Sequence, residues 1–220
     1  MIRRGNCDRA KAPTRFVRVL VVAGLLAGGC SPQIDLFNSG PPASLYNLTP
    51  AKSAGDGGSA VDWALYIEDP TSTGALDSDR IAMRPSPNEV QYFADARWVD
   101  RAPRMLRSLL VESFENSGRI RSVTAEVTGL PYNYSLKVEL RDFQAEVQGQ
   151  DGVPAVRVRL NAKIIRRAPI SLIGARNFEE VQTASGTDMP STIAAFDRAT
   201  AAVLRDAIAW TLDTADAAND

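Results

Sequence analysis

Asp77 and Asp79, in the stretch "LDSDR", have the spacing of a metal-binding carboxylate pair. A hard cation held that way needs six or more oxygen ligands, and other metals want imidazole or thiolate partners. The chain has no histidine, and its two cysteines stand far apart at positions 7 and 30. No third carboxylate falls into a recognisable frame, so we read "LDSDR" as a turn ahead of a strand. Glu179 and Glu180 are adjacent in an expected strand, where neighbours point to opposite faces and cannot act as an acid–base dyad. The lack of histidine removes Ser-His-Asp and Cys-His catalysis. Ser, Lys and Tyr occur, but in no S-x-x-K or G-x-S-x-G frame. "AKSAGDGGSA" (51–60) is glycine-rich, yet lacks the strand–loop–helix setting and lysine of a phosphate loop. We therefore expect no enzyme, no catalytic residue, no metal and no diffusible cofactor.

The one residue with a clear chemical assignment is Cys30. A basic start (Arg3, Arg4, Arg9, Lys11, Arg15, Arg18) leads into the apolar run Val19–Ala27, the grammar of an export signal. That run is well short of the ~20 residues that span a bilayer. Ala27-Gly28-Gly29 directly before Cys30 resembles a lipobox, in which small side chains let a peptidase approach the backbone beside the cysteine. Ala27 stands where Leu is usual, with Leu26 one step back. The expectation is a signal peptide over 1–29, cleavage between Gly29 and Cys30, and a covalent lipid on Cys30; ordinary cleavage near Ala27 or Gly29 is the alternative. Two or more acyl chains anchor firmly where one holds only marginally. Ser31 is not the Asp that often retains lipoproteins in the inner membrane, so a periplasm-facing outer-membrane lipoprotein is expected. Cys7 would leave with the leader, which excludes an internal disulfide. Beyond residue 29 there are 19 basic and 25 acidic groups, a formal −6, which argues against nucleic acid as a partner.

The elements that must carry any further function follow from periodicity. Residues 30–44 comprise the lipidated Cys and a Pro/Ser/Gly-rich tether, able to reach ~45 Å when extended. The folded domain is expected over 45–216, with a short tail at 217–220. A short strand is read in 44–49. Val61, Trp63, Leu65 and Ile67 alternate as a half-buried strand, and 80–84 and 89–94 give two more. Residues 100–117 form the first helix, with a stripe of Leu106, Leu109, Leu110 and Phe114, Pro103 in its first turn and Gly118 after its end. Residues 120–127 form a strand. Leu136, Val138 and Leu140 then alternate, and the phase slips to Phe143, Ala145 and Val147, which predicts a bulge near Asp142. Val156 to Ile164 alternate strictly, and 177–185 read as a shorter polar edge strand. The closing helix is placed over 191–213, capped by Ser191. The pattern predicts one α/β domain: a mixed, largely antiparallel sheet with two long amphipathic helices packed on it.

Two groups are candidate partner-binding surfaces. Arg157, Arg159 and Lys163, with Arg141 on the neighbouring strand, could form a basic outer face that docks an acidic partner or lipid headgroups, or a solvated face balanced by Glu139 and Asp142. Tyr92, Phe93 and Trp98 cluster in "EVQYFADARW", as core packing or with one ring left exposed for a partner.

Residues 76–123 resemble the auxiliary lipoprotein family of ABC-type transport systems, the PqiC/YmbA-like group. The resemblance lies in Asp77-Ser78-Asp79-Arg80-Ile81, Asn88-Glu89-Val90-Gln91-Tyr92-Phe93, Trp98-Val99-Asp100-Arg101 and Phe114-Glu115-Asn116-Ser117-Gly118-Arg119, in order over about 45 residues. It implies a non-enzymatic lipoprotein that works with an MCE-domain protein, a permease and an ATPase in trafficking of lipid or hydrophobic compounds, joining the assembly to a membrane. A homo-oligomeric ring is compatible with that partnership, and the residues leave oligomeric state open. The alternative is an assembly lipoprotein for lipopolysaccharide or outer-membrane-protein insertion; a carboxylate or Ser/Lys hydrolase ranks last.

Overall fold

The run Leu136–Val147, with its slip in phase, becomes the spine of the structure. A computed structural model describes residues 42–52, 59–126, 129, 131–147 and 151–219. The leader, Cys30, the tether up to residue 41 and most of the 51–60 loop lie outside the described residues. In chain order the elements are β1 (Ser44–Tyr46), β2 (Val61–Ile67), β3 (Thr71–Ser72), β4 (Arg80–Ser86), β5 (Glu89–Trp98), α1 (Ala102–Asn116), β6 (Ile120–Thr124), β7 (Tyr134–Val147), β8 (Pro154–Arg167), β9 (Ile170–Thr183) and α2 (Met189–Ala217).

The nine strands form one mixed, open sheet. One edge of β7 pairs antiparallel with β8 along its whole length, and β8 pairs likewise with β9. The other edge is shared end to end by three parallel strands: β2 at its start, β3 at its middle and β4 at its end. β6 extends the sheet beyond β2, and β5 with β1 beyond β4. The antiparallel ladders are long and the parallel ones short, as short turns between the long strands require.

The predicted bulge is present: Leu140 faces Leu160 and Asp142 faces Arg159, so Arg141 is the extra residue. It lets Leu136, Val138 and Leu140 before it, and Phe143 and Ala145 after it, all point to the core, each no more than 3% exposed. Val147, expected in the same phase, is 40% exposed because the strand ends there. Both helices lie on that inner face. α1 buries Met105, Leu106, Leu109, Leu110 and Phe114, and α2 buries Phe196, Thr200, Val203, Leu204, Ala207 and Ile208. Gly118 follows α1 with φ +63°, the left-handed conformation that glycine adopts without cost.

Several boundaries differ from expectation: β5 runs on to Trp98 and α2 to Ala217, and the starts of β9 and α2 also move. β9 begins at Ile170, seven residues before the predicted start, because "ISLIGA" supplies the first half of the hairpin with β8. Gly174 sits there because α2 crosses closely: an added Cβ would lie 3.1 Å from both Trp210 Cζ2 and Thr214 Cγ2. α2 begins at Met189, and its cap is Asp188, not Ser191. The Asp188 carboxylate accepts from the Ser191 backbone N–H (2.9 Å) and hydroxyl (2.7 Å). These bonds favour the charged form and hold its pKa below the ordinary carboxylate value. A lowered folded-state pKa stabilises above the unfolded value of about 4 and is lost as pH falls through the folded one. Asp188→Asn is expected to keep the cap at pH 7 and to lose the part of the acid-side fall in Tm that Asp188 causes, as thermal melts between pH 3 and 7 would record.

Candidate docking surfaces

Three of the four motif stretches meet in one junction at the start of α1, and the fourth lies at the far end of that helix. Asp77 Oδ2 pairs with Arg101 at 2.6 Å and Asp79 with Arg97 at 3.2 Å. Backbone bonds tie the same segments, from Trp98 N–H to Asp79 C=O (2.7 Å) and from Ala102 N–H to Ser78 C=O (3.0 Å). The two aspartates therefore serve separate arginines and fix the turn ahead of β4 against the start of α1, as the turn reading expected. Arg80 stacks over the Tyr92 ring at 3.8 Å, and the Tyr92 hydroxyl donates to Ala75 C=O at 3.0 Å. At the far end of α1, Ser117 Oγ donates to Phe114 C=O at 2.6 Å, and Arg119 reaches Asp213 of α2 at 3.3 Å.

This junction decides the aromatic candidates. Trp98 is 1% exposed and packs on Phe143 and Phe196 with ring centroids 5.3 and 5.1 Å away. It is a core residue that joins β5, β7 and α2, and it presents nothing to a partner. Tyr92 and Phe93 are half-buried against the core. The chain just after β1 is strapped down too: the Thr49 N–H donates to Asp197 of α2 (2.7 Å) and the Ala51 N–H to Ser113 of α1 (2.8 Å).

The predicted basic face exists in part. At the Val147 end of the outer face, Asp142, Gln144 and Glu146 from β7 meet Arg84 of β4, Arg157 and Arg159 of β8 and Glu179 of β9. Arg157 Nε donates to Glu146 at 2.9 Å and its other nitrogens reach Glu179 and Glu146. Arg159 pairs with Asp142, and Arg84 contacts Asp142 at 3.5 Å. The Gln144 amide bridges Asp142 and Glu146 at 3.0 and 3.2 Å. The charged groups, with Pro85 and Pro87, line an open cleft of about 490 Å³. Three arginines and three carboxylates balance there. The Arg157 pKa is raised, chiefly by its bond to Glu146, against the opposing effect of burial. Arg141 is held by Glu139 (3.0 Å) and Asn177 (3.1 Å). Arg157 and Arg159 are thus internally neutralised, and they join a structural network at a bulge that would otherwise leave Asp142 buried and uncompensated.

Lys163 is separated from that network. It is exposed, and it faces Lys137 across the β7–β8 ladder. The reading from periodicity missed its neighbours at the β8–β9 turn, Ile170 (84% exposed) and Leu172 (61%), because Pro169 and Gly174 broke the alternation. Among the described residues no three side chains are grouped to hold a metal, and no helix is long and apolar enough to cross a membrane.

An open mixed sheet with both helices on one face and a charged outer face defines a small α/β domain. Residues 46–209 match the family described as the ABC-type transport auxiliary lipoprotein component, and the chain belongs to that family. The family is one of accessory lipoproteins associated with ABC-type transport. The crystal structure of protein XCC0632 from Xanthomonas campestris is 30% identical with a TM-score of 0.75, over 80% of this chain and 99% of that one. The crystal structure of a further uncharacterized protein shares the fold at 15% identity and a TM-score of 0.60, over 76% of this chain and 97% of that one. An uncharacterized protein of Bradyrhizobium diazoefficiens is 26% identical over 191 residues, 86% of this chain; the chain spans about half the length of that relative.

Proposed function

We propose that this chain is the non-enzymatic, membrane-anchored docking component of an MCE-type ABC transport system. It joins the assembly to the outer membrane, facing the periplasm, for traffic of lipid or other hydrophobic compounds. Membership of the auxiliary lipoprotein family carries the reading. Supporting it, the motif residues serve the fold: Asp77, Asp79, Arg97 and Arg101 brace one another, so the segment most like the family shapes a scaffold. The absence of histidine from the whole chain supports a non-catalytic role. The proposed anchor is acylated Cys30, followed by a tether up to the folded domain at about residue 45.

Chemical crosslinking in membranes followed by pull-down of the tagged chain tests this. Recovery of an MCE-domain protein is the expected result. Repeated recovery of an outer-membrane β-barrel or a lipopolysaccharide-assembly component in its place would overturn it and favour the assembly-lipoprotein alternative.

A further inference from the structure

The outer face of the sheet has two ends of different chemistry. At the Val147 end every arginine is matched by a carboxylate. At the other end, strand register sets Tyr66 of β2, Ser135 of β7, Ile165 of β8 and Leu172 of β9 in one row on the outer side. Tyr132 stacks on Tyr66 with ring centroids 5.2 Å apart, and Arg167 lies over Tyr132 at 4.4 Å. Ile170 and Leu172 project from the turn at 84% and 61% exposure.

The adjoining row is Lys137 opposite Lys163. Like charges placed directly across a ladder destabilise it unless something neutralises them. Lys137, Lys163 and Arg167 have no acidic partner within ion-pair distance among the described residues, although the chain beyond residue 29 is acidic overall. Two nearby acids are engaged elsewhere: Glu68 accepts from Ser135 Oγ at 2.9 Å, and Glu139 pairs with Arg141.

We propose that this end of the outer face, centred on Leu172 and the β8–β9 turn, rests on a phospholipid surface that carries anionic headgroups. The composition fits that interface: aliphatic tips that can enter the acyl boundary, tyrosines at headgroup level, and cations for the phosphates. Charge complementarity selects a lipid surface, since each cation near an anionic leaflet contributes about fivefold in binding. Reach is compatible as well. Residues between Cys30 and Pro42 can extend ~40 Å, close to the length of β7, whose 14 residues rise ~3.3 Å each. The proposal rests on the membrane anchorage given above, and gives the anchored domain a preferred side toward the bilayer.

The test uses the mature lipidated chain with Leu172→Cys carrying an NBD fluorophore. Vesicles are phosphatidylcholine alone, or with phosphatidylglycerol as about one third of the lipid. Flotation reports the anchor, and the fluorophore reports the surface. The expected result is a blue-shifted emission, quenched by nitroxide-labelled lipid, on the anionic vesicles and several-fold weaker on the neutral ones. Lys137→Glu with Lys163→Glu should remove it by more than tenfold. The milder Lys137→Gln with Lys163→Gln, compared at unchanged near-UV circular dichroism, should give an intermediate loss.

A chain that floats while its probe stays in water on anionic vesicles overturns the proposal. So does a shift that is equal on both vesicles and indifferent to charge reversal. A shift that grows with protein concentration without lipid assigns the surface to a second copy, and one produced only by an added protein assigns it to that protein; each overturns it. A chain that floats only on anionic vesicles loses the anchor but keeps the surface, whereas one that floats on neither loses both.

Discussion

Trp98→Ala is expected to lower the unfolding free energy by about 3–5 kcal/mol, the range for removing a fully buried large aromatic. For a domain of this size that is a fall in Tm of roughly 10–15 °C. The reason is geometric. Trp98 ends β5, and its ring packs against both Phe143 of β7 and Phe196 of α2, which touch each other at 5.1 Å, so the three rings form one cluster. Its backbone N–H bonds to Asp79, so the indole is held at the point where the turn ahead of β4 meets the start of α1. Truncation leaves a cavity bordered by β5, β7 and α2, which the strand ladders and the Phe143–Phe196 contact hold in place, so the site closes only in part. Trp98→Phe should restore a large part of the loss. Urea denaturation of the three chains measures this, and an alanine variant within about 1 kcal/mol of the parent would show that Trp98 is not a core residue.

Much of this was readable in the sequence because it is local. Val156 to Ile164 alternate without interruption, and β8 is present with each of those side chains buried. The slip between Leu140 and Phe143 had only one sterically simple resolution, a bulge, and Arg141 provides it. The stripe of α1 and the turn at Gly118 followed from helical spacing and backbone conformation in the same way.

What escaped was non-local. Nothing in the residues of β2, β3 and β4 says that they line up in turn along one edge of β7, because parallel partners leave no connecting turn to betray them. The basic face stays open between its two readings in the sequence for a related reason, and the Arg141–Glu139 and Arg159–Asp142 pairs agree with the balanced one. Arg157 and Lys163 look alike in an alternating strand, and only the register with β7 and β9 sets Arg157 opposite Gln144 and Val181, in reach of Glu146 and Glu179, and Lys163 opposite Lys137 and Ala175. Asp188 was passed over as a cap because Met189 and Pro190 interrupt the apolar period just after it. The carboxylate three residues before Ser191 was the available signal.

Cys30→Ser is expected to abolish incorporation of labelled fatty acid and to leave an uncleaved precursor. A serine hydroxyl cannot take the thioether-linked diacylglycerol, and without that modification the lipoprotein-specific cut before residue 30 does not occur. Loss of label is complete because the acceptor thiol is gone, and loss of anchorage follows: at ~0.8 kcal/mol per buried methylene a single acyl chain holds only reversibly, whereas two or more hold firmly. The folded domain should be untouched. Its first strand begins at Ser44, and its nearest core residues, Leu48 and Ala51, are buried beside the Thr49–Asp197 and Ala51–Ser113 bonds. The parent and the Cys30→Ser chain should therefore melt at the same temperature and differ only in label and in mass on a gel. Labelling of the serine variant at the parent level would remove Cys30 as the anchor, and with it the lipobox reading of Ala27-Gly28-Gly29. Loss of label together with loss of MCE-partner crosslinks would show that anchorage is a condition of docking. Loss of label with crosslinks intact would place partner recognition wholly in the folded domain, and leave the lipid to fix only which membrane the assembly meets.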